Sequence, residues 1–153
     1  MINYEFSKSV LNPMDKTDPI IFPQVQMEIQ VVTTYLPDHS RPAESQFTFA
    51  YTITIANVGD IAVQLLARHW LITDASERIQ EVRGEGVVGE QPVIEPGEYF
   101  RYTSGATLET PIGFMEGSYT MIAMDSAEFG PQPEETFEVA IPPFSLHMPN
   151  ALH

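Results

Sequence analysis

Between Gln46 and Asn57 the chain alternates with period two, setting Phe47, Phe49, Tyr51, Ile53 and Ile55 against Thr48, Ala50, Thr52, Thr54 and Ala56. Successive side chains of a strand point to opposite faces, so aromatic and β-branched residues on one side predict a half-buried strand. Asn57-Val58-Gly59-Asp60 is rich in turn formers and leads into a second apolar run, Ile61 to Thr73. The two runs are expected to form a hairpin. The same alternation sets Met27, Ile29 and Val31 against Gln26, Glu28 and Gln30 on the way to Leu36, and Phe137, Val139 and Ile141 against Thr136, Glu138 and Ala140. Pro96-Gly97 marks a turn before Tyr99 to Thr103, Gly117 is expected to open a strand from Ser118 to Met124, and Pro142-Pro143 to end the last strand.

Helical periodicity never persists over three turns, and 13 Pro and 9 Gly punctuate the short apolar runs. Short strands with no helix to cross over a parallel sheet predict an all-β antiparallel sandwich or barrel. Trp70 inside the third strand and Tyr119 in Gly117-Ser118-Tyr119 fit an immunoglobulin-like or fibronectin type III-like sandwich. Residues 1–23 are poorer in strand pattern and carry Asn12-Pro13 and Asp18-Pro19, so they read as an N-terminal tail or arm. The sandwich domain is expected over 24–147 and a C-terminal tail over 148–153. Ser126 to Glu135, with Gly130, Pro131 and Pro133 among acids, reads as a long hairpin connection.

The length of 153 residues suffices for one domain with a hydrophobic core. Composition then narrows the function. Lys plus Arg number 7 against 21 Asp plus Glu, a net charge of −14, which disfavours nucleic acid and anionic membrane as partners. There is no cysteine, which excludes disulfides, zinc–thiolate cages, iron–sulfur clusters and a cysteine nucleophile. The N-terminus lacks the basic start and apolar run of a secretory signal, and no stretch reaches the roughly 18 apolar residues of a membrane helix, so a cytoplasmic location is expected.

Gly84-Glu85-Gly86-Val87-Val88-Gly89 spells the GxGxxG of dinucleotide-binding loops. That chemistry needs a helix after the glycines to present its amides to a pyrophosphate, and Pro92 and Pro96 forbid one. Glu85 and Glu90 also set carboxylates beside any anion. The loop, with Gln91, is thus a candidate binding loop whose glycines have a structural alternative, the positive φ of a turn. Arg68 and His69 beside Trp70 form a second polar group inside an apolar run. Alternation places Arg68 with Trp70 on one face, and His69 with Val63, Leu65 and Leu71 on the other. Functionally Arg68 would clamp an anion and His69 act as ligand or base; structurally, Arg68 would lie over Trp70 or pair with an acid, and His69 would be hydrogen-bonded near a strand end. His39, His69, His147 and His153 have no partner at metal-ligand spacing, and no nucleophile elbow is present, so no catalytic residue, metal ligand or cofactor is assigned. After Arg101 no Lys or Arg occurs, while Glu109, Glu116, Asp125, Glu128, Glu134, Glu135 and Glu138 follow. That acidic third keeps the surface solvated, or steers a basic partner or holds divalent cations weakly.

The runs Leu65–Asp74 (LLARHWLITD) and Glu81–Pro92 (EVRGEGVVGEQP) closely resemble the ApaG family. Ile94-Glu95-Pro96-Gly97-Glu98, Tyr102-Thr103-Ser104-Gly105, Met115-Glu116-Gly117-Ser118-Tyr119 and Ile141-Pro142-Pro143-Phe144 continue the likeness in order. The resemblance implies a fibronectin type III-like or immunoglobulin-like sandwich in a small bacterial family of unresolved biochemical activity, linked to cobalt resistance and magnesium efflux. Related domains within larger eukaryotic proteins imply protein interaction rather than catalysis. The expected function is a non-enzymatic protein-interaction module; the alternative is weak binding of pyrophosphate or another small phosphate ligand, or of a divalent cation, at the Gly84–Gly89 loop or the acidic surface. Two positions depart from the family pattern: Ala75-Ser76-Glu77 stands where a small residue such as Gly is expected after Asp74, and Ala106 where relatives often have Cys. The second departure argues against a thiol function.

Overall fold

The computed structural model describes residues 3–7, 25–124 and 136–150. Among the described residues nine strands follow one another: β1 (Asn3–Ser7), β2 (Met27–Tyr35), β3 (Phe47–Asn57), β4 (Val63–Asp74), β5 (Ile79–Glu85), β6 (Val93–Ile94), β7 (Tyr99–Leu108), β8 (Ile112–Ala123) and β9 (Thr136–His147). Single 3₁₀ turns at Pro37–His39 and Pro42–Glu44 join β2 to β3. One antiparallel sheet runs β1-β7-β3-β2 and the other β5-β4-β8-β9, with β6 added beside β4. The sheets pack as a sandwich, as the alternation predicts. Along β3 every odd residue from Phe47 to Asn57 is buried and every even one half-buried. The core is aromatic at its centre: Trp70 meets Tyr51, Tyr119 and Phe144 edge-on at centroid distances of 5.5, 6.4 and 5.9 Å.

β1 lies within the segment read as an N-terminal arm and pairs with β7, Asn3 opposite Thr103 through Ser7 opposite Tyr99. At the other end, Met148, placed by sequence at the start of the tail, donates its amide to the Pro111 carbonyl at 2.9 Å and packs on the core. β8 and β9 form the expected hairpin, whose connecting segment lies outside the described residues.

Four readings are corrected. β3 and β4 are not a hairpin, because they belong to opposite sheets and Asn57–Asp60 arches between them. Buried Asn57 builds that arch: its Nδ2 donates to the Ile61 and Ile94 carbonyls, each at 2.9 Å, and its Oδ1 accepts the Gly59 amide at 3.0 Å. Turn formers mark a chain reversal but do not specify which sheet receives the next strand. Replacing Asn57 with alanine leaves these main-chain groups without partners, and an unpaired buried group costs about 1–3 kcal/mol. Chemical denaturation of the Asn57→Ala variant is expected to show a loss of about 2 kcal/mol.

The second correction concerns β4. Leu65 pairs with Met121 and Ala67 with Thr120, so Leu66 is an extra residue, a β-bulge that reverses the parity of the strand. Val63 and Leu65 therefore face the core together with Trp70 and Ile72, not on the His69 face. Third, Pro142 and Pro143 do not end β9. They oppose Glu116 in a second bulge, between Met115–Phe144 and Gly117–Ile141 pairs, on an edge strand where missing amides are tolerated. Fourth, Gly117 lies inside β8 opposite Trp70 rather than at a strand start.

The β4–β5 turn contains the expected departure. Glu77 adopts a left-handed φ of 66°, the conformation a glycine adopts most freely. Asp74 holds the turn, its Oδ1 accepting the Ser76 and Arg78 amides at 2.8 and 3.0 Å. Arg78 in turn pairs with Asp74 and Glu109.

Candidate functional site

The candidate residues gather where β4 passes beneath β5 and the turn that follows it. Alternation sets Arg68 on the same face as Trp70, and across the β4–β5 pair its neighbour is Gly84. A Cβ on Gly84 would stand 2.8 Å from the Arg68 guanidinium, so the first glycine of the string makes room for that side chain. Arg68 Nη1 then donates to the carbonyls of Glu85 and Gly86 at 3.0 and 2.9 Å. Gly86 has φ 62°, and a Cβ there would overlap the Glu90 carbonyl oxygen. Val87 and Glu90 exchange both main-chain hydrogen bonds, at 2.8 and 2.9 Å, around Val88 and Gly89 at φ 44° and 82°. Two central residues at positive φ make a type I′ turn. Val88 is β-branched and strained in that region, a feature that recurs at ligand clamps. Gln91 ties the loop down, its Nε2 donating to the Leu66 carbonyl at 2.9 Å, which also accepts the Gly86 amide at 2.8 Å. Glu85 and Glu90 are exposed.

The six-residue string is thus a caged arginine and a tight turn. No helix follows it among the described residues, as the prolines require.

Among the described residues Arg68 finds neither structural fate expected of it. Among the described residues no carboxylate lies within ion-pair distance, and the ring it would cover, Trp70, packs against aromatics instead. Its guanidinium reaches an opening of about 310 Å³ between the two sheets, lined by Tyr51, Arg68, Val88, Gly89, Tyr102 and Ser104. Behind it, the Tyr102 and Tyr119 hydroxyls share a hydrogen bond of 2.5 Å. Burial pushes both phenols above the usual tyrosine range, and Arg68 opposes the shift. Tyr51 is raised by burial as well, opposed by a hydrogen bond to Ser104 and by the Arg68 charge.

His69 faces the other side of the sheet. Its Nε2 lies 3.3 Å from Glu81 Oε1 but off the line a hydrogen bond needs, while Arg83 Nε donates to the same oxygen at 2.8 Å. Arg83 first, and His69 after it, hold the Glu81 carboxyl below its ordinary range. The two residues of the sequence pair are thereby separated: Arg68 serves the opening and His69 the outer surface. A shallow concavity of about 570 Å³ on this sheet reaches His69, Arg83, Ser118, Thr120 and Glu138, and the Arg68–Gly84 pair also borders it. Of the acidic C-terminal third, Glu109 pairs with Arg78 and Glu138 accepts the Thr120 hydroxyl at 2.7 Å, whereas Asp125, Glu128, Glu134 and Glu135 lie outside the described residues. Among the described residues no three His, Asp or Glu are placed to hold a metal ion, and no helix is long and apolar enough to cross a membrane.

Sequence reasoning did not name Tyr51, Ser104, Tyr102 or Tyr119 as a group. The available signal was parity: Phe100 and Tyr102 share one face of β7, which puts a phenol inside the core where its hydroxyl requires a partner.

Fold and site together define an antiparallel β-sandwich domain with a cationic opening on one flank. A family model described as the ApaG domain matches residues 37–123. The Protein ApaG of Thiobacillus denitrificans is 52% identical over 128 residues, covering 84% of this chain and 94% of that protein. The Pseudomonas aeruginosa protein of the same name is 51% identical over 130 residues, covering 85% and 97%. A crystal structure described as an ApaA protein from Bordetella pertussis superposes with a TM-score of 0.74 at 46% identity, covering 83% of this chain and 97% of that one. The chain belongs to the ApaG family.

Proposed function

We propose that the chain is a non-enzymatic protein-interaction module that receives an acidic group of its partner at Arg68. One observation carries the reading: in a chain of net charge −14, a guanidinium beside a solvent opening has two carbonyl partners and, among the described residues, no carboxylate. Nη1 is engaged, which leaves Nη2 and Nε as donors for a planar anion, the geometry in which arginine surpasses lysine. The strained Val88-Gly89 turn forms one wall, and Tyr51 and Ser104, hydrogen-bonded to each other, line the other. The alternative occupant is a small phosphate ligand, which the same cation favours. In either case the association with cobalt and magnesium handling is indirect, through what binds.

The test is an amide-detected titration of the isotopically labelled chain with an aspartate-rich peptide and, separately, with pyrophosphate, with and without magnesium. Saturable shifts at 84–91 and 104 with the peptide support the first reading, and saturation by pyrophosphate alone supports the second. Arg68→Gln is expected to weaken binding at least tenfold, the cost of a charge-assisted bond of about 1.5–3 kcal/mol. Unchanged affinity in that variant would remove Arg68 from the site.

A further inference from the structure

We infer that β5 is a self-association strand: two copies of the chain join edge to edge through antiparallel β5 strands centred on Val82, so that the β5-β4-β8-β9 sheet runs on into its partner. The inference does not depend on the anion reading of Arg68.

Backbone direction is the first step. The Gly86 amide donates to Leu66 and the Arg78 carbonyl accepts from Asp74, so even-numbered positions from 78 to 86 turn their amides and carbonyls toward β4. In an antiparallel strand the odd positions then turn theirs outward. Ile79, Glu81 and Arg83 present main-chain donors and acceptors with no partner among the described residues, while the Glu85 carbonyl at the end is capped by Arg68. Edges of this kind are commonly protected by proline, lysine or a bulge. β9, the opposite edge, has two prolines in a bulge; β5 has neither proline nor bulge, its charged residues Glu81, Arg83 and Glu85 are of mixed sign, and it exposes Ile79 at 64% and Val82 at 37%.

Side-chain charge selects the occupant and the register. Glu81 and Arg83 pair with Leu71 and His69 and so lie on the outer face, while Val82 pairs with Trp70 on the inner one. A two-fold axis through Val82 puts Glu81 opposite the partner's Arg83 and Arg83 opposite the partner's Glu81, both at outward-turned positions that exchange main-chain hydrogen bonds. Val82 then meets the partner's Val82. Shifting the axis by one residue sets Glu81 against itself or Arg83 against itself, which directly opposed like charges disfavour. The strand Ile79–Glu85 is therefore complementary to its own reverse in one register. A seven-residue edge buries less than the roughly 800 Å² per partner of a stable interface, and each copy has net charge −14. The dimer is accordingly weak and concentration-dependent.

Sedimentation velocity of the full chain from micromolar to millimolar concentration is expected to show a monomer–dimer equilibrium. E81R alone and R83E alone, each opposing like charges across the axis, are expected to weaken dimerisation at least tenfold. An equimolar mixture of the two single variants is expected to form heterodimers, and the E81R/R83E double variant to recover dimerisation. A wild type that stays monomeric throughout, or single variants that dimerise as it does, overturns the inference. Because the chain has no cysteine, crosslinking gives a second reading. Non-hydrogen-bonded pairs bring Cα atoms to about 4.5 Å, within disulfide reach, so V82C is expected to form a disulfide dimer on mild oxidation and Q80C is not. Equal crosslinking of both variants would overturn the register.

Discussion

Replacing Gly117 with alanine is expected to cost about 3 kcal/mol or more, at the upper end for overpacked cores. Gly117 sits in the middle of β8, between Trp70 on β4 and Ile141 on β9, next to the bulge that accommodates Pro142 and Pro143. A Cβ there would overlap the His69 carbonyl oxygen and stand 3.1 Å from Trp70 Cε3. Neither neighbour yields cheaply: the carbonyl belongs to a central strand, and Trp70 is fixed by edge-on contacts with Tyr51, Tyr119 and Phe144. An added methyl must therefore separate β4 from β8, the most extensively paired strands of the sheet. Domains of this size shift their melting temperature by about 2–4 °C per kcal/mol, so thermal denaturation should drop by roughly 10 °C. A variant that melts with the wild type would show that β8 adjusts without strain and that the glycine answers to something else.

Gly117 also shows how far sequence carries. Period-two alternation located β2, β3 and β9, because each is half-buried and alternates between core and less buried faces. β5 left no such trace, since nearly every residue of it is exposed and an edge strand exposed on both faces has no hydrophobic period. Strands containing a bulge were legible only in halves: the extra Leu66 reverses parity inside β4, and no local pattern announces it. For the same reason the Arg68 site was half visible. The arginine and the glycine loop were both singled out, but that Gly84 exists to admit Arg68 depends on the β4–β5 register, a relation between residues 16 apart in sequence. Separating Arg68 from His69 needed only alternation, and that reading agrees with the structure.

Stability is expected to fall steeply above pH 10, and Tyr102 and Tyr119 are the main reason. Burial raises their ionisation, and that of Tyr51, above the ordinary value of 10.0. Below pH 10 folded and unfolded chains alike keep these protons, and the contribution is fully present. Above it the unfolded chain releases protons that the folded chain retains, so unfolding becomes more favourable with each step in pH. Tyr102 and Tyr119, the strongly shifted pair, each contribute roughly 1 kcal/mol per pH unit, and Tyr51 adds in the same direction, so a domain's usual margin of about 5–15 kcal/mol is eroded within a few pH units. Urea midpoints measured from pH 8 to pH 12 should therefore fall with a slope that the double variant Y102F/Y119F greatly flattens, and equal slopes would contradict the assignment. At neutral pH the same variants test the 2.5 Å hydroxyl pair. Either single Tyr→Phe change leaves one buried hydroxyl unpaired at about 1–3 kcal/mol, while the double change removes both groups and should cost less than the sum. Arg68 links this core pair to the opening, because its charge stabilises all three phenolates. Arg68→Gln should then move tyrosine ionisation to still higher pH, and an unmoved titration would mean that the guanidinium does not face the phenols in solution.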